Sequence, residues 1–80
     1  MAEEVAQKVR SILSRLLDLP TEEISLEAGP GNPEEWDSLK HMMLLVAIEE
    51  DFDVSFSDDE LTEMLSLEII AAIISEKLSR

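Results

Sequence analysis

The sequence predicts an all-α fold, a small four-helix bundle of three longer helices and one short helix. Apolar residues recur at steps of three and four along several segments, which is the spacing of one helical face. The 80 residues include only two glycines and three prolines, so few signals interrupt the helices. Helices joined by one long crossover pack as a small antiparallel bundle. We therefore expect a single domain over residues 1–80.

The first helix is predicted from about Ala2 to Leu17. Its apolar stripe consists of Val5, Val9, Ile12, Leu13, Leu16 and Leu17. Pro20 cannot continue the helix, and a long loop to Trp36 contains all three prolines and both glycines. We expect Ile24 and Leu26 to anchor this loop to the core. Trp36 is expected to pack the end of the loop against the bundle.

The second helix is predicted to begin near Ser38 and to run to about Asp51. Asp37 and Ser38 are both favourable residues for capping its N-terminus. A broad apolar face is predicted from Leu39, Met42, Met43, Leu45, Val46 and Phe52.

Two further helices are predicted after a short extended link. Residues 57–60, Ser-Asp-Asp-Glu, have the spacing of a capping box and open a short helix that reaches Met64. Ser66 then caps the last helix. The apolar face of that helix consists of Leu67, Ile70, Ile74 and Leu78, with Ile69 and Ile73 beside it.

Net charge limits the classes of partner. The chain has 19 acidic and 6 basic residues and a formal net charge of −13, yet 45% of its residues are hydrophobic. A chain this negative repels phosphate backbones and anionic lipid headgroups, so we expect binding to neither nucleic acid nor membranes. The hydrophobic content is too high for a disordered acidic tail. The expected partners are basic or neutral proteins.

Cysteine content and targeting signals narrow the class further. The absence of cysteine excludes disulfides, thiolate metal sites and cysteine nucleophiles. The first ten residues mix charged and apolar side chains and lack the apolar segment of a signal peptide. No apolar run approaches the ~20 residues that span a bilayer. We predict a cytoplasmic protein and expect it to be a monomer.

Ser38 and His41 are the one pair that suggests nucleophilic catalysis, because residues three apart are neighbours on a helix. A catalytic triad also requires an orienting acid, an oxyanion hole and a substrate pocket, and the sequence indicates none of these. We interpret His41 as a non-catalytic residue of the helix surface. The chain is therefore not expected to be an enzyme.

Asp51, Asp53 and Ser55 match the first, third and fifth positions of an EF-hand calcium loop. The sixth position is Phe56 instead of the glycine that the sharp turn needs. The twelfth position is Thr62 instead of a bidentate glutamate. This pattern predicts no specific metal site.

Ser38 follows a loop rich in proline and glycine and opens the second helix. The free backbone N–H groups of a helix N-terminus favour an anion, so a phosphate attached to the Ser38 hydroxyl would be stabilised there. The simpler alternative is that Ser38, or Asp37, only caps the helix. The residues themselves leave both interpretations open.

A longer pattern surrounds this serine. Residues 37–39 read Asp-Ser-Leu and open an apolar helix that ends at residues 48–52 as Ile-Glu-Glu-Asp-Phe. Val54 and Phe56 follow, and then come an acidic short helix and a final helix. With the amphipathic first helix and the long loop, this order covers nearly the whole chain. It resembles the acyl carrier protein family.

The resemblance implies a carrier with 4'-phosphopantetheine attached to Ser38. A phosphopantetheinyl transferase would deliver the arm from coenzyme A, with Asp37 and Leu39 completing its recognition motif. The terminal thiol would hold an acyl or aminoacyl cargo as a thioester. The implied partners are a loading ligase and downstream synthase or transferase enzymes in fatty-acid-like, polyketide or other secondary-metabolite synthesis.

The resemblance also implies that the second helix is the main docking surface. The expected docking residues on this helix and around the short one are Lys40, Met43, Asp58, Asp59, Glu60, Glu63 and Met64. Carriers of fatty-acid synthesis usually have acidic residues at the positions of Lys40 and Met43. This departure indicates partners other than the usual fatty-acid enzymes.

An acidic helical binding protein, such as an inhibitor or immunity-type module, is the alternative from another functional class. Such a protein would also be small, acidic, helical and free of cysteine. It would bind one basic enzyme tightly and would need neither a prosthetic group nor a serine at the start of the second helix.

Overall fold

A computed structural model of the chain describes residues 2–79. Its α-helices are α1 (Ala2–Leu17), α2 (Ser38–Phe52), α3 (Asp58–Glu63) and α4 (Leu67–Leu78), and a 3-10 turn spans Thr21–Glu23. No strand forms within residues 2–79, where one isolated bridge pairs Gly29 with Asn32. The predicted fold of three longer helices and one short helix is confirmed.

The apolar stripe of α1 lies on the core, as predicted, with Leu16 only partly buried. The helix ends through Asp18, whose φ of 56° is in the left-handed region. The backbone N–H of Leu19 then donates to the carbonyl of Ser14 at 3.1 Å, and Pro20 follows. The chain therefore leaves α1 through a tight helix end and enters the long loop.

Helix α1 packs against both α4 and α2. The core residues that these three helices supply are Val5, Ala6, Val9, Ile12, Leu13, Leu17, Leu44, Ile48, Leu67, Ile70, Ala71 and Ile74. The predicted core face of α4 is confirmed for Leu67, Ile70 and Ile74, whereas Leu78 lies near the end of the helix and is exposed.

Only part of the predicted apolar face of α2 lies on the core, namely Leu45 and Phe52, which are partly buried against it. The buried residues of this helix are Leu44 and Ile48, and neither belongs to the predicted set. Several residues of that set are exposed instead, namely Leu39, Met42, Met43 and Val46. Because α2 is apolar on nearly every side from residue 42 to residue 48, its sequence does not distinguish the core face from the outer face.

The long loop is fixed to the start of α4 by backbone hydrogen bonds. The N–H of Leu67 donates to the carbonyl of Ala28 at 2.8 Å, and the N–H of Glu68 donates to the carbonyl of Leu26 at 2.9 Å. These bonds satisfy two of the free N–H groups of the helix end. The Leu26 side chain is exposed, contrary to the predicted anchoring role, whereas Ile24 is buried as predicted.

The predicted caps of α3 and α4 are present. The Ser57 side chain accepts from the N–H of Glu60, and the Glu60 carboxylate accepts from the N–H of Ser57, which completes the capping box. Ser66 accepts from the N–H of Ile69 at the start of α4. Within residues 2–79, no helix is both long enough and apolar enough to cross a membrane.

Candidate functional site

The start of α2 places three consecutive residues in different environments. Trp36 is completely buried, with 0% of its surface exposed. Asp37 caps the helix, since its Oδ1 accepts from the N–H of Lys40 at 2.9 Å. Ser38 is the first residue of the helix and is exposed. The buried tryptophan therefore fixes the end of the loop, and the serine next to the cap faces solvent.

The sequence left open whether Asp37 or Ser38 caps α2, and the structure shows that Asp37 is the cap. Its carboxylate stabilises the positive end of the helix and uses the N–H of Lys40. No hydrogen bond joins the Ser38 hydroxyl to another residue of the described chain. Ser38 is therefore not needed as the cap, and its oxygen is free to react or to bind a ligand.

His41 does not pair with Ser38. Its Nδ1 accepts a hydrogen bond of 3.0 Å from the indole Nε1–H of Trp36, and the two ring centroids lie 5.7 Å apart. Burial lowers the pKa of His41 from its ordinary value, since a charged imidazole loses solvation in this half-buried position. The sequence interpretation of His41 as a helix-surface residue missed this contact with the core.

Lys40 is directed away from the exposed surface around Ser38. Its Nζ donates to the backbone carbonyl of Leu16 at 3.3 Å, in the last turn of α1. Carbonyls of a last turn have no partner within their own helix, and a cation is favoured there by the helix dipole. Lys40 thus joins the start of α2 to the end of α1. Sequence reasoning found no signal for this contact.

The outer face of α2 near Ser38 is apolar and exposed. Leu39, Met42 and Val46 expose 64%, 66% and 56% of their surfaces. With Met43, Leu16, Ala47 and Glu50 they line a shallow groove of about 470 Å³. The first turn of α2 contains no acidic residue. A largely apolar surface of this kind next to Ser38 is suited to contact with another protein.

The predicted docking residues around α3 differ in their exposure. Asp58, Asp59 and Glu63 are exposed. The Glu60 carboxylate is already bound, because it accepts from Lys77 Nζ and from the backbone N–H of Ser57, each at 2.8 Å. Chiefly the Lys77 ammonium, and then the Ser57 N–H, hold the pKa of Glu60 below its ordinary value.

Met64 was predicted as a docking residue, but its side chain does not lie at the surface. Only 1% of its surface is exposed, and it belongs to the core cluster. Its position at the C-terminal end of α3 turns the side chain inward, where it fills the core. Leu65, the next residue, is exposed instead. Sequence alone did not distinguish these two apolar neighbours.

No group of three or more histidine, aspartate or glutamate side chains within residues 2–79 converges as metal ligands do. Asp51 instead pairs with Lys8 of α1, with 3.4 Å between Nζ and Oδ2. Asp53 has a φ of 54° and ends α2 as its left-handed cap. These two acidic residues therefore have structural roles at the end of the helix.

Comparisons with known proteins agree with this arrangement. The profile of the family described as "Phosphopantetheine attachment site" matches residues 7–74. The acyl carrier protein of Petrotoga mobilis is 31% identical over 77 residues, which are 96% of this chain and 91% of that protein. The acyl carrier protein of Guillardia theta is 30% identical over 77 residues, or 96% and 95% of the two chains. The chain therefore belongs to the acyl carrier protein family, whose members carry phosphopantetheine and are not catalysts.

Proposed function

We propose that Ser38 is the residue to which 4'-phosphopantetheine is attached. The observation that carries this proposal is the free, exposed hydroxyl at the first residue of α2, next to an aspartate that already caps the helix. A serine that served as the cap would use its oxygen on a backbone N–H. In this chain the Ser38 oxygen accepts no such hydrogen bond, because Asp37 is the cap.

The residues around Ser38 fit a covalently attached phosphodiester. The helix itself does not use the first-turn N–H groups of Ser38 and Leu39, and the helix dipole favours negative charge at this end. During transfer, the bond from Ser38 Oγ to the pantetheine-bearing phosphorus forms as the phosphoanhydride bond of coenzyme A breaks. Adenosine 3',5'-bisphosphate leaves, and the hydroxyl proton goes to a base of the transferase. Once attached, the arm supplies a thiol that holds the cargo as a thioester.

The partners that we propose are a phosphopantetheinyl transferase, a ligase that loads an acyl or aminoacyl cargo, and downstream synthase or transferase enzymes. The exposed apolar residues of α2, including Met43, and the exposed acids of α3 form the docking surface. We include Lys40 in this docking surface because it lies in the first turn of α2. The pathway is fatty-acid-like, polyketide or other secondary-metabolite synthesis, and we propose a monomeric, cytoplasmic, single-domain carrier.

The attachment is tested by incubating the purified apo-protein with coenzyme A, magnesium and a broad-specificity phosphopantetheinyl transferase, followed by intact mass measurement. We expect the wild type to gain the mass of one phosphopantetheine and Ser38→Ala to gain none. Ser38→Ala is a clean control because the cap on Asp37 remains. Without a mass gain in the wild type the proposal is wrong, and the alternative of an acidic binding protein without a prosthetic group is favoured.

A further inference from the structure

His41 lies one turn after Ser38, and its Nδ1 accepts a hydrogen bond from the buried Trp36. The chain contains a single histidine and a single tryptophan, and these two residues are hydrogen-bonded to each other. An indole N–H can only donate, so His41 Nδ1 must be the unprotonated acceptor. This contact selects the neutral imidazole that has its proton on Nε2.

The Nε2–H group of His41 is a donor without an acceptor in the described part of the chain. None of the hydrogen bonds within residues 2–79 uses it. It is also absent from the buried polar atoms that lack a partner, which are Arg10 Nε and Ser75 Oγ, so it reaches solvent. The half-buried ring thus has one nitrogen fixed by Trp36 and one free donor at the surface.

His41 and Ser38 share one side of α2 because they are three residues apart. Residues three apart on a helix are neighbours, with about 5–6 Å between their Cβ atoms. The other charged groups next to Ser38 are turned to other tasks: the Asp37 carboxylate caps the helix and would repel a phosphate, and the Lys40 ammonium is held at the carbonyl of Leu16 in α1. His41 therefore offers a hydrogen-bond donor that no other group of the described chain uses, one turn from Ser38.

We propose that the Nε2–H of neutral His41 donates a hydrogen bond to a non-bridging oxygen of the phosphodiester on Ser38. Trp36 is then a positioning residue, because its indole N–H selects the tautomer that donates. The hydrogen bond orients the first atoms of the arm along the outer surface of α2. This inference rests on the proposed attachment of phosphopantetheine to Ser38.

The test compares the apo-protein with the phosphopantetheinylated protein by ¹H–¹⁵N NMR, in which the single histidine gives an unambiguous signal. In the apo-protein we expect an unprotonated Nδ1 and a protonated Nε2. Attachment of the arm is expected to shift the Nε2–H resonance, to slow its exchange with water and to raise the pKa of His41, since an adjacent anion stabilises the imidazolium.

His41→Ala and His41→Gln provide the matched variants. In modified protein, ³¹P NMR is expected to show a displaced phosphodiester resonance for His41→Ala and a smaller displacement for His41→Gln, because glutamine retains an N–H donor. A modified wild type whose His41 resonances and pKa match those of the apo-protein would overturn this hydrogen bond and leave the attachment to Ser38 intact. Failure to modify Ser38 at all would overturn both proposals.

Discussion

At the start of α2, neighbouring residues have separate roles: some stabilise the fold, and one has a hydroxyl that is free to react. Asp37 caps the helix and Trp36 is the buried anchor of the loop. Ser38, the next residue, therefore keeps a free hydroxyl. The sequence predicted the anchoring role of Trp36, since a large aromatic residue at the end of a loop favours burial. It did not choose between Asp37 and Ser38 as the cap, because both residue types perform that function equally well.

The division of roles predicts a difference between two alanine variants. Asp37→Ala removes the acceptor for the N–H of Lys40 and is expected to lower the free energy of unfolding by ~0.5–2 kcal/mol. Ser38→Ala removes no hydrogen bond and is expected to leave stability nearly unchanged. Urea denaturation followed by circular dichroism measures both. Equal losses in the two variants would contradict the assignment of the cap.

At the scale of the elements, predictability depended on how the charges are distributed around each helix. In α1 charged and apolar residues alternate with the helical period, so the buried stripe could be read from the sequence. In α2 the apolar residues surround the helix, so packing against α1, and not the sequence period, selects Leu44 and Ile48 for the core. Met64 was misplaced because the sequence does not distinguish it from its apolar neighbour Leu65, which is the exposed one of the two.

The docking of the loop on the junction between α3 and α4 gives a second prediction. A Cβ atom at Gly29 would clash with the backbone carbonyl oxygen of Leu65, so one segment must move if an alanine is introduced. We expect Gly29→Ala to lower the free energy of unfolding by about 1–3 kcal/mol, the usual cost of overpacking.

Chemical denaturation of Gly29→Ala measures this loss, with Glu27→Ala as the control because Glu27 is exposed in the same loop. Wild-type stability in Gly29→Ala would show that the loop does not pack closely on the α3–α4 junction. A comparable loss in Glu27→Ala would indicate that any substitution in the loop is destabilising.

For the whole molecule, the distribution of charge over the surface indicates more about its partners than the net charge of −13 does. Glu49, Glu50 and Asp51 are confined to the end of α2, and further exposed acids lie on α3. Between them and Ser38, α2 presents an apolar surface, and the one lysine of its first turn is bound to α1. This distribution is suited to long-range attraction of a basic partner combined with apolar contact beside Ser38.

This combination predicts how the transferase reacts to an added acid. Met43→Glu places a charge in the apolar groove and is expected to lower kcat/KM for phosphopantetheinylation by about tenfold, or ~1.4 kcal/mol. Leu26→Glu is the control, because Leu26 is similarly exposed (41% against 44%) but lines a different groove, between α1 and α4. A higher kcat/KM for Met43→Glu would contradict apolar docking and favour contact with basic residues.

The central claim, attachment of phosphopantetheine to Ser38, is tested most directly by locating the modification. Trypsin releases the peptide of residues 16–40, which contains Thr21 and Ser25 as internal controls beside Ser38. Tandem mass spectrometry of the modified protein is expected to place the whole phosphopantetheine mass on Ser38, since its exposed hydroxyl opens α2 beside a separate cap. Attachment to Thr21, Ser25 or a residue outside this peptide would contradict the proposal.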